Sequence, residues 1–248
     1  MENRFLLTII CDVILSFYLV ASETNPIKEP LFQKTSLSID NSYESNPFPI
    51  KTLDPQILAE FMPLIMREVA KEFSHQNDHR TRRNTREYGL NYFKMLRGDF
   101  SYKTPPEFYQ QLGAHICKEF GHNPIEFTNI ILSVYEKDFY LEPHVDVSAK
   151  DLYVRDIDGN APFYFGERVY GIVIEPDSNG HLYFVKWEGE DLVSPLGLTP
   201  IYSLKENTGT IICLEGDFRQ TPYFHAVSPV SNHRISITFR TVEKIFNH

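Results

Sequence analysis

The pattern of apolar and polar positions changes character near residue 127. Before that point two stretches carry a helical period. Leu58, Phe61, Leu64, Ile65 and Val69 recur at spacings of three and four, with Asp54 placed to cap and Pro55 at the first helical position. Pro63 predicts a kink or a division of that helix. A second helix is predicted between 105 and 120, where Thr104 and Glu107 have capping-box spacing, two prolines open the helix and Gly121 closes it. Residues 75–103, between them, are polar, basic and aromatic without a clear period. From Phe127 onward, β-branched and aromatic runs predict strands at 127–135, 168–174, 181–187, 199–203, 209–214 and 234–242, separated by turn clusters such as Asp177-Ser178-Asn179-Gly180. Short strands without intervening helices predict a mostly β, antiparallel sandwich or jelly roll, with the two helices bracing one face.

The amino-terminal 50 residues differ from the rest. Phe5 to Ala21 is an apolar run interrupted by Asp12, short for a membrane span and suited to a secretory h-region, with small residues at Val20-Ala21-Ser22. Residues 1–22 are therefore a candidate signal peptide or anchor, the alternative being the first helix of a cytoplasmic protein. Residues 23–50, rich in Ser, Asn and Pro, read as a linker, leaving 51–248 as one domain. Within that domain, 51–126 holds the helices and a basic segment, and 127–243 holds the strands.

Composition narrows the function classes. With 248 residues, 42% hydrophobic and 23% charged, the chain is neither disordered nor a polytopic membrane protein. A net charge of −9 excludes a protein coated with basic residues for bulk nucleic-acid packaging. Three cysteines form no disulfide framework, and Cys117 and Cys213 read as buried thiols.

Candidate chemistry centres on His144, Asp146 and His225. On an extended stretch, His-x-Asp places both side chains on one face, and a histidine from another strand can complete a face of three ligands. Two imidazoles and a carboxylate suit Fe(II) and leave open positions for a co-substrate and oxygen. Taken singly, these residues also fit structural histidines. The strand Arg234-Ile-Ser-Ile-Thr-Phe-Arg240 adds a second signal. It sets 234, 236, 238 and 240 on one face and three apolar residues on the other. If the apolar face meets the helices, both arginines point inward and each needs an anion, which a dicarboxylate co-substrate could supply. A one-sided sheet with its polar face in water is the alternative.

These stretches, together with Asn129 through Tyr135 and Gly209 through Arg219, resemble the AlkB-like branch of the Fe(II)- and 2-oxoglutarate-dependent dioxygenases over roughly residues 85–243. The resemblance implies a double-stranded β-helix, with His144, Asp146 and His225 as catalytic iron ligands. It also implies Arg234 on the distal carboxylate of 2-oxoglutarate with help from the Tyr135 hydroxyl, and Arg240 near the proximal carboxylate and Asp146. Ser133 stands where relatives often carry an asparagine that touches the co-substrate. The long interval from Asp146 to His225 implies an insertion around 150–162 or 188–200. The implied reaction consumes 2-oxoglutarate and O2, gives succinate and carbon dioxide, and hydroxylates a C–H bond. On an N-methyl group it ends in demethylation.

The substrate signal is the basic segment. Four arginines lie within Arg80 to Arg86, and Lys71 to Lys103 holds eight Lys/Arg against four Asp/Glu. Arg82, Arg83, Arg86, Tyr88 and Tyr92 are the candidate substrate contacts, a basic strip with aromatics that fits phosphate contact and base stacking on single-stranded or flipped-out nucleic acid. A solvated surface loop is the plainer alternative. Oxidative demethylation of an N-methylated nucleic acid is the leading expectation. A hydroxylase of a protein or small molecule, and a non-catalytic jelly-roll binding module, are the alternatives.

Overall fold

The larger sheet of the computed structural model has seven strands. In spatial order they are β1 (Ile50–Thr52), β10 (Thr210–Leu214), β7 (Val169–Glu175), β12 (His233–Arg240), β4 (Asn129–Glu136), β2 (Asn84–Leu90) and β3 (Tyr102–Lys103). A second sheet runs β5 (Leu141–His144), β11 (Tyr223–Val227), β8 (Leu182–Lys186), β9 (Tyr202–Ser203), and β6 (Phe163–Phe165) pairs with β13 (Val242–Lys244). Neighbouring strands pair antiparallel throughout. The structure describes residues 48–73, 83–95, 98–146, 163–187, 198–220 and 222–244. The expected signal peptide, all but the end of the linker, and most of the expected insertion lie outside them. No helix among the described residues is long and apolar enough to cross a membrane.

Two helices cover one face of the larger sheet. Helix α1 (Pro55–Val69) turns Leu58, Phe61 and Ile65 inward, and α3 (Glu107–Glu119) turns Tyr109, Leu112 and Ile116 inward. They meet Ile235, Ile237 and Phe239 of β12 and Ile130, Leu132 and Val134 of β4 in a common core. Burying each large aliphatic or aromatic side chain contributes about 1.5–3 kcal/mol. A short helix, α2 (Tyr92–Met95), follows β2. Between the two sheets lies a second core that includes Phe48, Tyr135, Leu141, Phe184, Leu214 and Val227.

Several local expectations need correction. Asp54 does cap α1 through the Gln56 N–H at 2.8 Å, but Pro63 does not divide the helix. Pro63 and Ala59, whose carbonyl loses its helical donor, both lie on the exposed side. The Thr104 capping box does not form. Helix α3 starts at Glu107 after an N-cap at Pro106 with no side-chain cap, so Glu107 occupies the first turn as a favourable charge instead. Phe48, within the segment expected to be a linker, is buried, its ring 4.6 Å from Phe184 and 5.3 Å from Phe218.

The largest correction concerns the basic segment. Its middle, Asn84–Leu90, is strand β2, paired with β4 from Asn84↔Val134 to Gly89↔Asn129. Its period was masked because both faces carry polar side chains.

Candidate metal centre and its pocket

Two neighbouring strands bring the histidines together. β5 and β11 pair with His144 directly opposite His225, and the two ring centroids are 4.2 Å apart. Asp146 follows β5 by two residues and returns to the same face. One ligand atom from each of the three residues lies within 4.8 Å of the others. His144 Nδ1 lies 2.9 Å from the Glu142 carbonyl oxygen. A donor bond there protonates Nδ1 and leaves Nε2 as the ligating atom.

The surroundings tune the charges for metal binding. Burial pushes the His225 imidazole down to about 3, helped by its neighbour His144 and opposed by Asp146. Burial also lowers His144, with Asp146 acting the other way. Both rings are therefore neutral ligands at pH 7. Burial alone would raise the Asp146 carboxyl, but Arg240, His225 and Arg219 together hold it well below the usual range. The result is two neutral imidazoles and one ionised carboxylate.

Around Asp146 a chain of polar contacts extends outward. Arg240 Nη1 donates to Asp146 Oδ1, and its Nε donates to Asn129 Oδ1 at 2.8 Å. Asn129 is held in turn by Glu87 Oε1 at 2.5 Å and the Leu90 carbonyl at 2.7 Å. The Arg240 guanidinium also lies 4.1 Å from the Phe165 ring centroid. Arg219 donates to the Asp146 carbonyl and, at 3.0 Å, to that of Phe165, pinning the backbone that carries the ligand. Sequence reasoning assigned no role to Arg219, Asn129 or Glu87. Their partners are 53 to 73 residues away for Arg219 and 39 to 111 away for Asn129, distances that no local pattern reports.

No family model matches the sequence, and no curated protein matches it. Solved structures do. The chain superposes on OsALKBH1 with a TM-score of 0.50 at 12% identity, over 80% of this chain and 100% of that one. The fold is that of the 2-oxoglutarate- and Fe(II)-dependent oxygenases. Similar, at lower scores, are a 2OG-Fe(II) oxygenase-family oxidoreductase from Burkholderia pseudomallei (TM-score 0.45, 14% identity, 77% of this chain and 80% of that one) and a Pseudomonas putida prolyl-4-hydroxylase (0.43, 14%, 79% and 94%). Within this oxygenase fold, the His144–Asp146–His225 set fits Fe(II) with 2-oxoglutarate and O2.

The interior of the oxygenase fold departs from expectation at Arg234, while Arg240 meets Asp146 as the resemblance implied. Both Arg234 and Arg240 point inward, and both already have a protein carboxylate. Arg234 grips Glu206 through two parallel bonds, Nε to Oε2 at 2.8 Å and Nη2 to Oε1 at 2.7 Å, with both side chains at least 96% buried. Its Nη1 donates to Ser236 Oγ at 2.9 Å. The anion that the sequence required of this arginine if it pointed inward is present. The sequence did not show that Glu206, 28 residues upstream in an ordinary polar turn, supplies it. Tyr135 and Ser133 also face inward from β4, but their hydroxyls meet Arg83, each 3.3 Å from Nη1. Together Arg83, Tyr135, Glu206, Arg234, Arg240 and the three candidate ligands line a cavity of about 80 Å³.

The candidate substrate contacts separate. Alternation along β2 sends Arg86 and Tyr88 to the helix side, away from the pocket. Arg86 donates to the carbonyls of Lys71 at 2.9 Å and Glu72 at 2.8 Å, and pairs with the buried Glu68 carboxylate at 3.5 Å. The Tyr88 hydroxyl donates to the same carboxylate at 2.5 Å. Both are core residues, and the expectation of nucleic-acid contact is corrected for them. Arg83 belongs to the pocket. Arg82 and the side chain of Tyr92 lie outside the described residues.

Proposed function

We propose that the protein is an Fe(II)- and 2-oxoglutarate-dependent oxygenase that hydroxylates a C–H bond of its substrate. The observation that carries this reading is the inward-facing set of two neutral, part-buried imidazoles and one buried, ionised carboxylate, lining a cavity with three arginines. His144, Asp146 and His225 hold the iron, which supplies the oxygen activation coupled to decarboxylation of the co-substrate. Arg240 keeps Asp146 ionised and oriented, and Arg219 holds its backbone. Tyr135 and Ser133 place hydroxyls where a co-substrate carboxylate needs donors. Tyr135, Leu141 and Phe184, in the apolar core between the sheets, keep bulk water from that side of the site.

For the substrate, the reading carried forward is oxidative demethylation of an N-methylated nucleic acid. The likeness to OsALKBH1 and the arginines at 80 and 82 support it. The inward placement of Arg86 and Tyr88 favours the second reading, hydroxylation of a protein or small molecule, because it removes two of the five candidate contacts. Conversion of 2-oxoglutarate to succinate by the Fe(II)-loaded protein tests both. It should be stimulated by an N-methylated single-stranded oligonucleotide, with formaldehyde released in equal amount. Stimulation by peptides alone supports the second reading. No conversion under any condition by folded, iron-loaded protein overturns the oxygenase assignment.

A further inference from the structure

Three arginines line the cavity, and their partners differ. Arg240 is matched by Asp146, and Arg234 is matched bidentately by Glu206. Arg83 has no ion-pair partner among the described residues. Its Nη1 has two long hydroxyl contacts, to Ser133 and Tyr135, and its Nε is buried without any partner. The other acid projecting from this side of β2, Glu87, commits one oxygen to Asn129 and the other to Asn91. A guanidinium carries five donors in a fixed fork; Arg83 is half-buried, and a donor withdrawn from water without a partner, as its Nε is, is costly. An incoming carboxylate is the group that matches this fork.

We propose that Arg83, with the hydroxyls of Tyr135 and Ser133, is the receptor for the distal carboxylate of the dicarboxylate co-substrate. This rests on the oxygenase reading above. Glu206 closes Arg234 to that role, because a second carboxylate there would meet a guanidinium whose fork is already filled and an acid of like charge. Strand order explains how the replacement works. Tyr135 sits opposite Arg234 across the β4–β12 pair, while Arg83 immediately precedes β2, the strand on the other side of β4. The receptor thus moves from one flank of Tyr135 to the other and keeps the tyrosine hydroxyl as a shared donor. Glu206 and Arg234 become a buried neutral pair that shapes the wall.

The test compares two acids that share the iron-chelating head. 2-Oxoglutarate and 2-oxopentanoate differ only in the distal carboxylate. Each is titrated anaerobically into the Fe(II)-loaded full chain by calorimetry, with the visible charge-transfer band reporting chelation. Wild type should favour 2-oxoglutarate by about tenfold or more, the scale of a charge-assisted hydrogen bond. In Arg83→Gln this preference should fall to about unity while the band still forms at saturation, and Arg83→Lys should retain part of it. Adding Glu206→Gln to Arg83→Gln should restore some preference by freeing Arg234. An undiminished preference in folded Arg83→Gln overturns the proposal and leaves the oxygenase reading standing. Failure of wild type to bind either acid overturns both.

Discussion

At the scale of single residues, alternation along one strand decides between chemistry and packing. Arg83, just before β2, and Arg86, within it, are three apart, so they point to opposite sides, one toward the cavity and one toward α1. Glu68 is 5% exposed, and its carboxyl is pulled two ways. Burial raises it, while bonds from Lys71 and Tyr88 and the charge of Arg86 bring it below the ordinary value. Removing Arg86 leaves that carboxylate and the carbonyls of Lys71 and Glu72 short of a donor. Arg86→Ala should therefore destabilise the protein by about 3–5 kcal/mol in urea unfolding. Binding of single-stranded oligonucleotide by the fraction that remains folded should not change. A stable Arg86→Ala protein that has lost oligonucleotide binding would reverse this assignment and return Arg86 to the surface role.

At the scale of elements, the β2–β4 pairing is the feature on which the site depends. It places Arg83 beside Ser133 and Tyr135, and through Glu87 and Asn129 it supports Arg240. One position controls its end. Gly89 has φ +78°, and a Cβ there would lie 2.0 Å from the Thr128 carbonyl oxygen. Backbone cannot yield as a flexible side chain can, so even alanine is excluded sterically as well as conformationally. Gly89→Ala should cost more than about 2 kcal/mol and loosen the Asn129–Leu90 bond. Amide exchange should then be faster at Leu90, whose N–H bonds to Thr128, than in the central strands β7 and β12. Unchanged exchange and stability would show that the strand end is free to shift. The helices were legible because apolar spacing on a polar background has a clear period. β2 was not, because its inward face carries Thr85 and Glu87 and its helix-side face carries Arg86 and Tyr88. A strand polar on both faces has no hydrophobic alternation to detect.

At the scale of the whole molecule, the buried titratable groups predict how stability follows pH. His225, pushed down to about 3, and His144, also lowered, are neutral in the folded metal-free protein. In the unfolded chain they bind protons near the ordinary imidazole value of 6.5. The stability they contribute is complete above that value and is lost as pH falls toward the folded pKa. Asp146 and Asp177 add a second loss below the ordinary aspartate value of 3.8, since both are depressed in the fold. For Asp177, burial works the other way and is outweighed by bonds from the backbone of Ser231, Gly180 and Asn179. Glu87 has the opposite sign, being raised by burial, so it relieves part of the acid loss. The urea midpoint of metal-free protein should fall between pH 7.5 and pH 5, by an amount on the order of a few kcal/mol in stability. Saturating Fe(II) should raise the midpoint at pH 7.5 and steepen this dependence, because protons and metal compete for the same imidazoles. A midpoint that is flat or rises on acidification would mean the two rings are accessible to protons in the folded state.

What the sequence by itself determined was whatever short-range periodicity encodes. The two bracing helices, five of the longer strands, the shared face of His144 and Asp146, and the shared face of Arg234 and Arg240 all follow from spacings of two or of three and four. If those arginines point inward, their need for anions also follows, since burial of an unpaired guanidinium is prohibitive whatever the fold. Only the tertiary structure decided which anion each one meets. Glu206 reaches Arg234 across 28 residues, Asp146 reaches Arg240 across 94, and Arg83 reaches Tyr135 across 52. Those pairings depend on strand order and register, which are fixed by the packing of whole faces against the helices and by cross-strand bonds between distant segments. No local pattern carries that information, so the side chains that hold the metal ligands in place and the arginine left facing the cavity became visible only in the assembled fold.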